Sequence, residues 1–283
     1  MRVGVAIARV YDVAVSAPPP GILAAEELAR RIERAEAEQL ARTGAPGVAG
    51  TLEVGGGLAV SKGPGSPFNV ANALGLGGPV TAEDVDAVER HLGAGGGAIR
   101  IALAAPAHPS LGAELARRGY RLDRFHLVWW RPPGRAPAPD FQWEVRPIVR
   151  GEEQAWGETF ALAYFGRLPP SDAMLEALLA MPRAEGNVCF AAFEAGRPVG
   201  VAIASAHGGV ATLSGAGVLP AHRGRGIQRA LVAARLDWAA AQGCDLAASA
   251  TDPGTASQRN LERSGFRCAY PRAILVREPA RWA

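Results

Sequence analysis

Lysine is almost missing from this chain: Lys62 is the single one, and arginine supplies the rest of its 30 basic residues. With alanine, glycine and proline so abundant, this reads as biased coding rather than as a function. Cysteine is nearly as scarce. Cys189, Cys244 and Cys268 show none of the spacings of a zinc site, and an odd number in apolar surroundings argues against a disulfide framework. A reducing cytoplasm is the natural setting, and neither the cysteines nor the five histidines imply a metal. No apolar run reaches the length of about 18 residues that a membrane span needs. The apolar start, Met1–Val15, is interrupted by Arg9 and Asp12 and lacks a clear secretion-type cleavage pattern, so it reads as a first strand. The net charge of +3 is small, and the arginines are scattered without an aromatic-rich basic stripe. Nothing therefore points to nucleic acid.

What is present is a globular composition, 48% apolar and 20% charged, over 283 residues and 29.4 kDa. That is enough for one large domain or two ordinary ones. The segment Arg131–Asp140 holds four prolines and no apolar periodicity, which makes it a semi-rigid linker and the best boundary in the chain. The reading is residues 1–131, a Pro-rich linker 132–140, and residues 141–283.

Periodicity predicts an amphipathic helix over Ile22–Arg42, strands at Val48–Val54 and Leu58–Ser61, and a helix opened by Thr81 with Asp84 three places on. A strand at Ile99–Ala104, a helix at Leu111–Arg118 and a strand at Tyr120–Arg131 close the first half. In the second half a strand, Trp143–Ile148, and two helices, Glu152–Tyr164 and Ser171–Met181, come first. Strands Val188–Glu194, Pro198–Ala206 and Val210–Val218 follow, joined by short glycine turns that suit antiparallel hairpins. Helix Ile227–Gln242, strand Leu246–Ala250, helix Ala256–Ser264 and strand Phe266–Val276 complete it.

Leu115-Ala-Arg-Arg-Gly-Tyr-Arg-Leu and Leu261-Glu-Arg-Ser-Gly-Phe-Arg-Cys repeat leucine, arginine, glycine, aromatic and arginine at an offset of 265 − 119 = 146 residues. Each copy reads strand, turn, helix, glycine, strand. Two similar domains of mixed α/β (α+β) class follow, each a mostly antiparallel sheet flanked by helices.

The most telling stretch is Val218–Leu231. A strand stops at Pro220, Gly224 and Gly226 alternate with Arg223 and Arg225, and a helical pattern begins at once. Glycines permit positive φ and close approach, while a helix N-terminus offers unpaired N–H groups and partial positive charge. Such a place suits anionic oxygen, and the arginines favour a diphosphate over a carboxylate. There is neither the dinucleotide fingerprint nor a P-loop.

Arg223-Gly224-Arg225-Gly226-Ile227-Gln228 resembles the pyrophosphate loop of the GNAT superfamily of N-acetyltransferases, Gln/Arg-x-x-Gly-x-Gly/Ala. It matches at the first and fourth positions and departs at Gln228. Element order in the second half also fits this family, and Ser257, Arg259 and Glu262 resemble its Ser-x-Arg…Glu variant. The resemblance implies acetyl-coenzyme A as co-substrate, held by Val218, Arg223, Gly224, Arg225, Gly226, Ile227, Gln228 and Ser257, without a metal. The reaction would be direct attack on the thioester by a primary amine of a small molecule or peptide, with the backbone N–H of Val218 as oxyanion donor.

The glutamate and tyrosine that many relatives use as base and acid are not visible; Leu261 stands in the tyrosine's place. Thr212, Ser214, Tyr164, Tyr270 and His222 are the polar groups nearest by sequence, with ordinary packing, surface or strand roles as their simpler readings. An acyl-coenzyme A-binding regulatory protein is the alternative this gap leaves open. In the first half the equivalent loop is Gly75-Leu76-Gly77-Gly78-Pro79, which has no arginine and loses an N–H at Pro79. The expectation is a degenerate copy there.

Overall fold

The computed structural model describes residues 25–43, 50–63, 66, 68–94, 96–134, 143–166 and 172–278. The expected strand at Met1–Val15 and most of the proline-rich linker lie outside them. The first half begins with helix α1 (Ala25–Arg42), then strands β1 (Gly50–Val54), β2 (Gly57–Ser61) and β3 (Val70–Asn72). Helix α2 (Ala82–Gly93), strand β4 (Ile99–Ala104), helix α3 (Pro109–Arg117) and strand β5 (Arg121–Arg131) complete it. The second half runs β6 (Glu144–Pro147), α4 (Glu153–Phe160), a π-helical turn (Ala161–Phe165), α5 (Asp172–Ala180), β7 (Asn187–Glu194), β8 (Arg197–His207) and β9 (Val210–Val218). A 3₁₀ turn (Pro220–His222), α6 (Ile227–Ala241), β10 (Leu246–Thr251), α7 (Ala256–Arg263) and β11 (Arg267–Arg277) follow. The periodicity expectations agree to within a few residues, the usual scatter at element ends. The main exception is the expected helix Glu152–Tyr164, which ends as a π turn.

Both halves share one 11-stranded sheet, in the order β1-β2-β3-β4-β11-β5-β10-β9-β8-β7-β6. Their last strands are exchanged. β11 pairs with β4 of the first half and β5 pairs with β10 of the second, while β11 and β5 pair with each other. All three pairings are antiparallel, and the β11–β5 ladder runs from Arg267↔Trp130 to Val276↔Arg121 with register shifts at Ala269 and Asp123. Sequence periodicity cannot reveal such an exchange, because each strand carries the same alternation whichever half it pairs with.

Helix α1 is the keystone of one face. Leu28, Ala29, Ile32 and Ala35 pack on Ala104, Val128, Val210, Leu246, Ala248 and Tyr270, strands drawn from both halves. One turn further, Ala37 and Leu40 sit against Leu58 and Val60 of β2, while Gln39 bonds to β9. β2 and β9 stand six places apart in the sheet. At about 4.8 Å per strand a flat sheet would hold them roughly 29 Å apart, so the sheet must curl around α1. On the opposite face α2 and α3 cover the first half and α6 and α7 the second.

α1 also brings charge into this seam. Glu33, fully buried, accepts from the Tyr270 hydroxyl and from Arg272 Nη1, both at 3.0 Å, and Arg272 reaches Glu36 as well. Burial raises the Glu33 carboxyl above its ordinary range against the pull of Arg272, and burial also raises the Tyr270 phenol.

Candidate functional site

The geometry of the site starts from a bulge. Ile203 pairs with Ser214 and Val201 with Gly217, so Ala202 faces two residues of β9, Gly215 and Ala216. Gly215 takes φ +52, the left-handed conformation of this kind of bulge. A Cβ there would lie 2.8 Å from Ile203 Cδ1 and 3.1 Å from Phe160 Cε2, so glycine is needed for space as well as for φ. A bulge bends its strand. β10 pairs in parallel with Val210, Ala211 and Thr212 and then parts from β9. The Ser249 hydroxyl, donating to Leu213 O at 2.7 Å, is the last link across the widening gap.

Beyond the gap, Leu219 N donates to Val199 O of β8 at 2.9 Å. Alternation along an antiparallel strand then turns the N–H of Val218 the other way, toward the edge that β10 has left. The carbonyl of Val218 turns outward too, and accepts from Arg223 Nε at 3.2 Å.

The loop follows directly. Gly224 and Gly226 have φ of +76 and +81, and a Cβ on Gly224 would meet nothing within 4 Å, so the backbone rather than a neighbour calls for glycine there. Gly226 is the N-cap of α6 and offers no side-chain cap. The N–H groups of Gly224 to Gln228 have no acceptor among the described residues. They form an uncapped helix N-terminus at the outlet of the open strand edge. The first half differs at the corresponding place: Thr81 Oγ1 accepts from Asp84 N and Asp84 Oδ2 accepts from Thr81 N, a closed capping box that occupies the start of α2.

Arg223 braces the loop, its Nη2 reaching Ala163 O of the π turn at 3.3 Å. Arg225 donates to Glu194 Oε1 at 2.7 Å and lies over the ring of Trp143, 4.8 Å from its centroid. Trp143 Nε1 donates in turn to Arg225 O at 3.0 Å. His222 Nε2 sits 2.9 Å from Glu194 Oε2. Glu194 and Trp143 are thus part of the loop's setting. Their sequence distance hid them: Trp143 opens the strand expected at Trp143–Ile148, and only the fold brings it under the loop.

Arg225 first, then His222, hold the Glu194 carboxyl below the ordinary glutamate range. A depressed carboxyl favours the folded state above its unfolded value, and this contribution fades as pH falls through the lowered one. An NMR titration of the Glu194 side chain should give a midpoint below that of an unpaired glutamate, moving back up in Arg225→Gln. A midpoint at the ordinary value would remove these pairings from solution.

The other candidates separate. Ile227 is buried against Gly200, where a Cβ would stand 2.6 Å from its Cγ2. Gln228 is half-buried and Ser257 exposed in the first turn of α7, and among the described residues no hydrogen bond joins Ser257 to the loop. Tyr270 is buried beneath α1 and committed to Glu33, away from the loop. Tyr164 is exposed, stacked on Phe160 at 5.1 Å and followed by exposed Phe165. Among the described residues the hydroxyls of Thr212 and Ser214 bond to side chains rather than to backbone, and both bond to Gln39. Arg235 of α6 is also buried, its Nη1 donating to Ile203 O (3.1 Å) and Ser214 O (3.3 Å), beside the bulge. Burial lowers its guanidinium to about 9. The described residues hold no group of three or more His, Cys, Asp or Glu arranged as metal ligands. No helix among them is long and apolar enough to cross a membrane.

Comparison with known proteins gives this geometry its context. Residues 154–266 match the model of the Acetyltransferase (GNAT) family. The matched segment runs from α4 to the residue before β11 and contains the bulge, the open edge and the loop. Among solved structures, a GCN5-related N-acetyltransferase from Kribbella flavida superposes with a TM-score of 0.65 at 20% identity, over 88% of this chain and 95% of that one. A GCN5-related N-acetyltransferase from Sphaerobacter thermophilus gives 0.55 at 21% identity, over 81% and 76%. A tandem GNAT protein from the clavulanic acid biosynthesis pathway gives 0.57 at 14% identity, over 92% and 98%. The fold is therefore that of GNAT structures: a mixed α/β architecture with a large sheet flanked by helices. No curated protein matches the sequence.

Proposed function

We propose that the chain is an acetyl-coenzyme A-dependent N-acetyltransferase whose cofactor site lies in the second half, residues 141–283. The reading rests on one observation: the edge of β9, opened by the bulge at Gly215, runs straight into the uncapped N-terminus of α6. An open strand edge can pair with the amides of a pantetheine arm, and free N–H groups with two arginines can take a diphosphate. Arg223, Gly224, Arg225, Gly226, Ile227 and Gln228 would hold the diphosphate, through backbone N–H groups where the side chains are turned inward, with Ser257 farther along the cofactor. The outward N–H of Val218 would meet the thioester oxygen as charge develops on it.

The amine acceptor, of a small molecule or a peptide, would then attack the thioester carbon directly. Holding the two reactants together is the larger part of such catalysis. The first half, residues 1–131 with the linker 132–140, would be a copy without a cofactor grip, its helix start already closed by Thr81 and Asp84. Free thiols at Cys189, Cys244 and Cys268 suit a cytoplasmic protein.

Calorimetric titration with acetyl-coenzyme A, followed by thiol release across a panel of primary amines, tests this. Saturable binding with turnover is expected; absence of binding would sink the assignment. The second reading, a non-catalytic acyl-coenzyme A-binding regulatory protein, draws on the β9 edge itself. From Thr212 to Val218 it carries only Thr, Leu, Ser, Gly, Ala and Val, none of them a competent base. Binding without turnover for any amine would favour it.

A further inference from the structure

The bulge that opens β9 is held from both faces of the sheet, and one of the two holds comes from the other half of the chain. From below, Arg235 donates to the carbonyls of Ile203 and Ser214, the pair at which the regular β8–β9 register ends. From above, Gln39 of α1 donates through Nε2 to Ser214 Oγ at 2.9 Å and accepts at Oε1 from Thr212 Oγ1 at 2.8 Å. Thr212 Oγ1 is also 3.1 Å from the buried Ser205 Oγ on β8. Ser214 is thus fixed by its carbonyl on one side and its hydroxyl on the other, immediately before Gly215.

The Gln39 amide uses both of its ends on two hydroxyls of one strand edge, and spans alternate residues as an amide side chain can. An ordinary packing contact would not require both. α1 is anchored at either end of this grip as well: Arg31 pairs with Asp245 at the start of β10, and Asn187 Nδ2 of β7 donates to Thr43 Oγ1 at 3.1 Å. The Arg31 contact sets α1 against the start of β10, one of the two strands whose separation makes the site, and the Thr43 contact ties its far end to β7.

We propose that Gln39 is a positioning residue for the second half's cofactor site, so that the first half is a working part of that site through α1. By fixing Ser214 it sets where β9 leaves β10, and hence where the amides of Gly215–Val218 face. The inference rests on the acetyl-coenzyme A reading for its consequence, though not for its geometry.

The test compares the full chain with Gln39→Leu, which keeps the bulk and removes both hydrogen bonds, and with Gln39→Glu, whose carboxylate can accept from both hydroxyls. Backbone amide exchange is followed over the whole sheet, alongside acetyl-coenzyme A calorimetry and thermal melting. Gln39→Leu should accelerate exchange at Gly215–Val218 by about tenfold or more, leave β1–β4 and β11 unchanged, and weaken acetyl-coenzyme A about tenfold. Gln39→Glu should restore most of both. Should Gln39→Leu not fold, Ser214→Ala removes the same link from the β9 side and should give the same local pattern. Unchanged exchange at these amides, or an increase spread evenly over all strands, overturns the proposal. If the parent chain does not bind acetyl-coenzyme A, the functional reading fails, and the exchange pattern alone still decides the role of Gln39.

Discussion

Replacing Gly226 with Phe should weaken acetyl-coenzyme A binding by more than about a hundredfold while the chain stays folded. The N–H groups that start α6 are free to meet a diphosphate only while residue 226 keeps its left-handed backbone and presents no side chain to the ligand. A non-glycine residue held there costs on the order of 1–2 kcal/mol. If the loop instead relaxes to negative φ, the N–H groups swing away from their common focus. Each hydrogen bond to a charged group contributes about 1.5–3 kcal/mol, so losing two exceeds the roughly 2.8 kcal/mol that a hundredfold change requires. Calorimetry gives the affinity, and circular dichroism with a thermal melt establishes the fold. Parent-like affinity in a folded Gly226→Phe would remove this loop as the phosphate site. Gly224→Ala makes a useful partner: nothing in the described residues lies within 4 Å of its Cβ position, so its effect on folding comes from φ.

Arg272→Met should destabilise the whole fold by about 3–5 kcal/mol, the range for stripping one member from a buried ion pair. Arg272 is 5% exposed and Glu33 0%, so the carboxylate left behind has no water to turn to. Tyr270 still donates to it, but the neighbouring Glu36 also loses the guanidinium and repels it. Burial already raises Glu33, and removing its cation raises it further.

The sign of the pH effect follows. A carboxyl whose folded value lies above its unfolded one contributes its full stability below the unfolded value and loses it as pH rises toward the folded one. The penalty in Arg272→Met should therefore be small in mild acid and grow toward neutrality, by at most about 1.4 kcal/mol per pH unit for a single group. Equilibrium urea unfolding across that range measures it, and adding Glu33→Gln should recover part of the loss and flatten the pH dependence. A loss under 1 kcal/mol that does not change with pH would mean that the cluster is hydrated in solution. Because Arg272 lies on β11 and Glu33 on α1, the same variant also probes how firmly the exchanged strand is seated.

Much of the second half was legible in the sequence because its signals are local. Alternation marks β7, β8 and β9, glycine turns mark their hairpins, and Gly224 and Gly226 announce the loop before a helix. Thr81 and Asp84 likewise predict a capped helix that the structure contains. The Leu115 and Leu261 repeats fall on equivalent helix ends, at α3 and α7. The bulge was not legible. Its glycine, Gly215, sits in a strand-like run between Ser214 and Ala216, and only the pairing with β8 shows that one residue is extra. Trp143 and Glu194 were missed as loop partners for a similar reason, since they come from separate strands and meet Arg225 only across the folded turn.

The sequence by itself therefore determined the elements, the repeat and the glycine–arginine alternation of residues 223–228 ahead of a helix, all of which depend on neighbours a few places away. Tertiary structure decided how these parts combine. It exchanged β5 and β11 between the halves, curled the sheet around α1, and brought Gln39 against Ser214 across 175 residues of chain. The physical reason is that periodicity states which face of an element is buried but not by what. Strand partners and helix seats are chosen by the summed burial and hydrogen bonding of the whole chain, and no local window contains that sum.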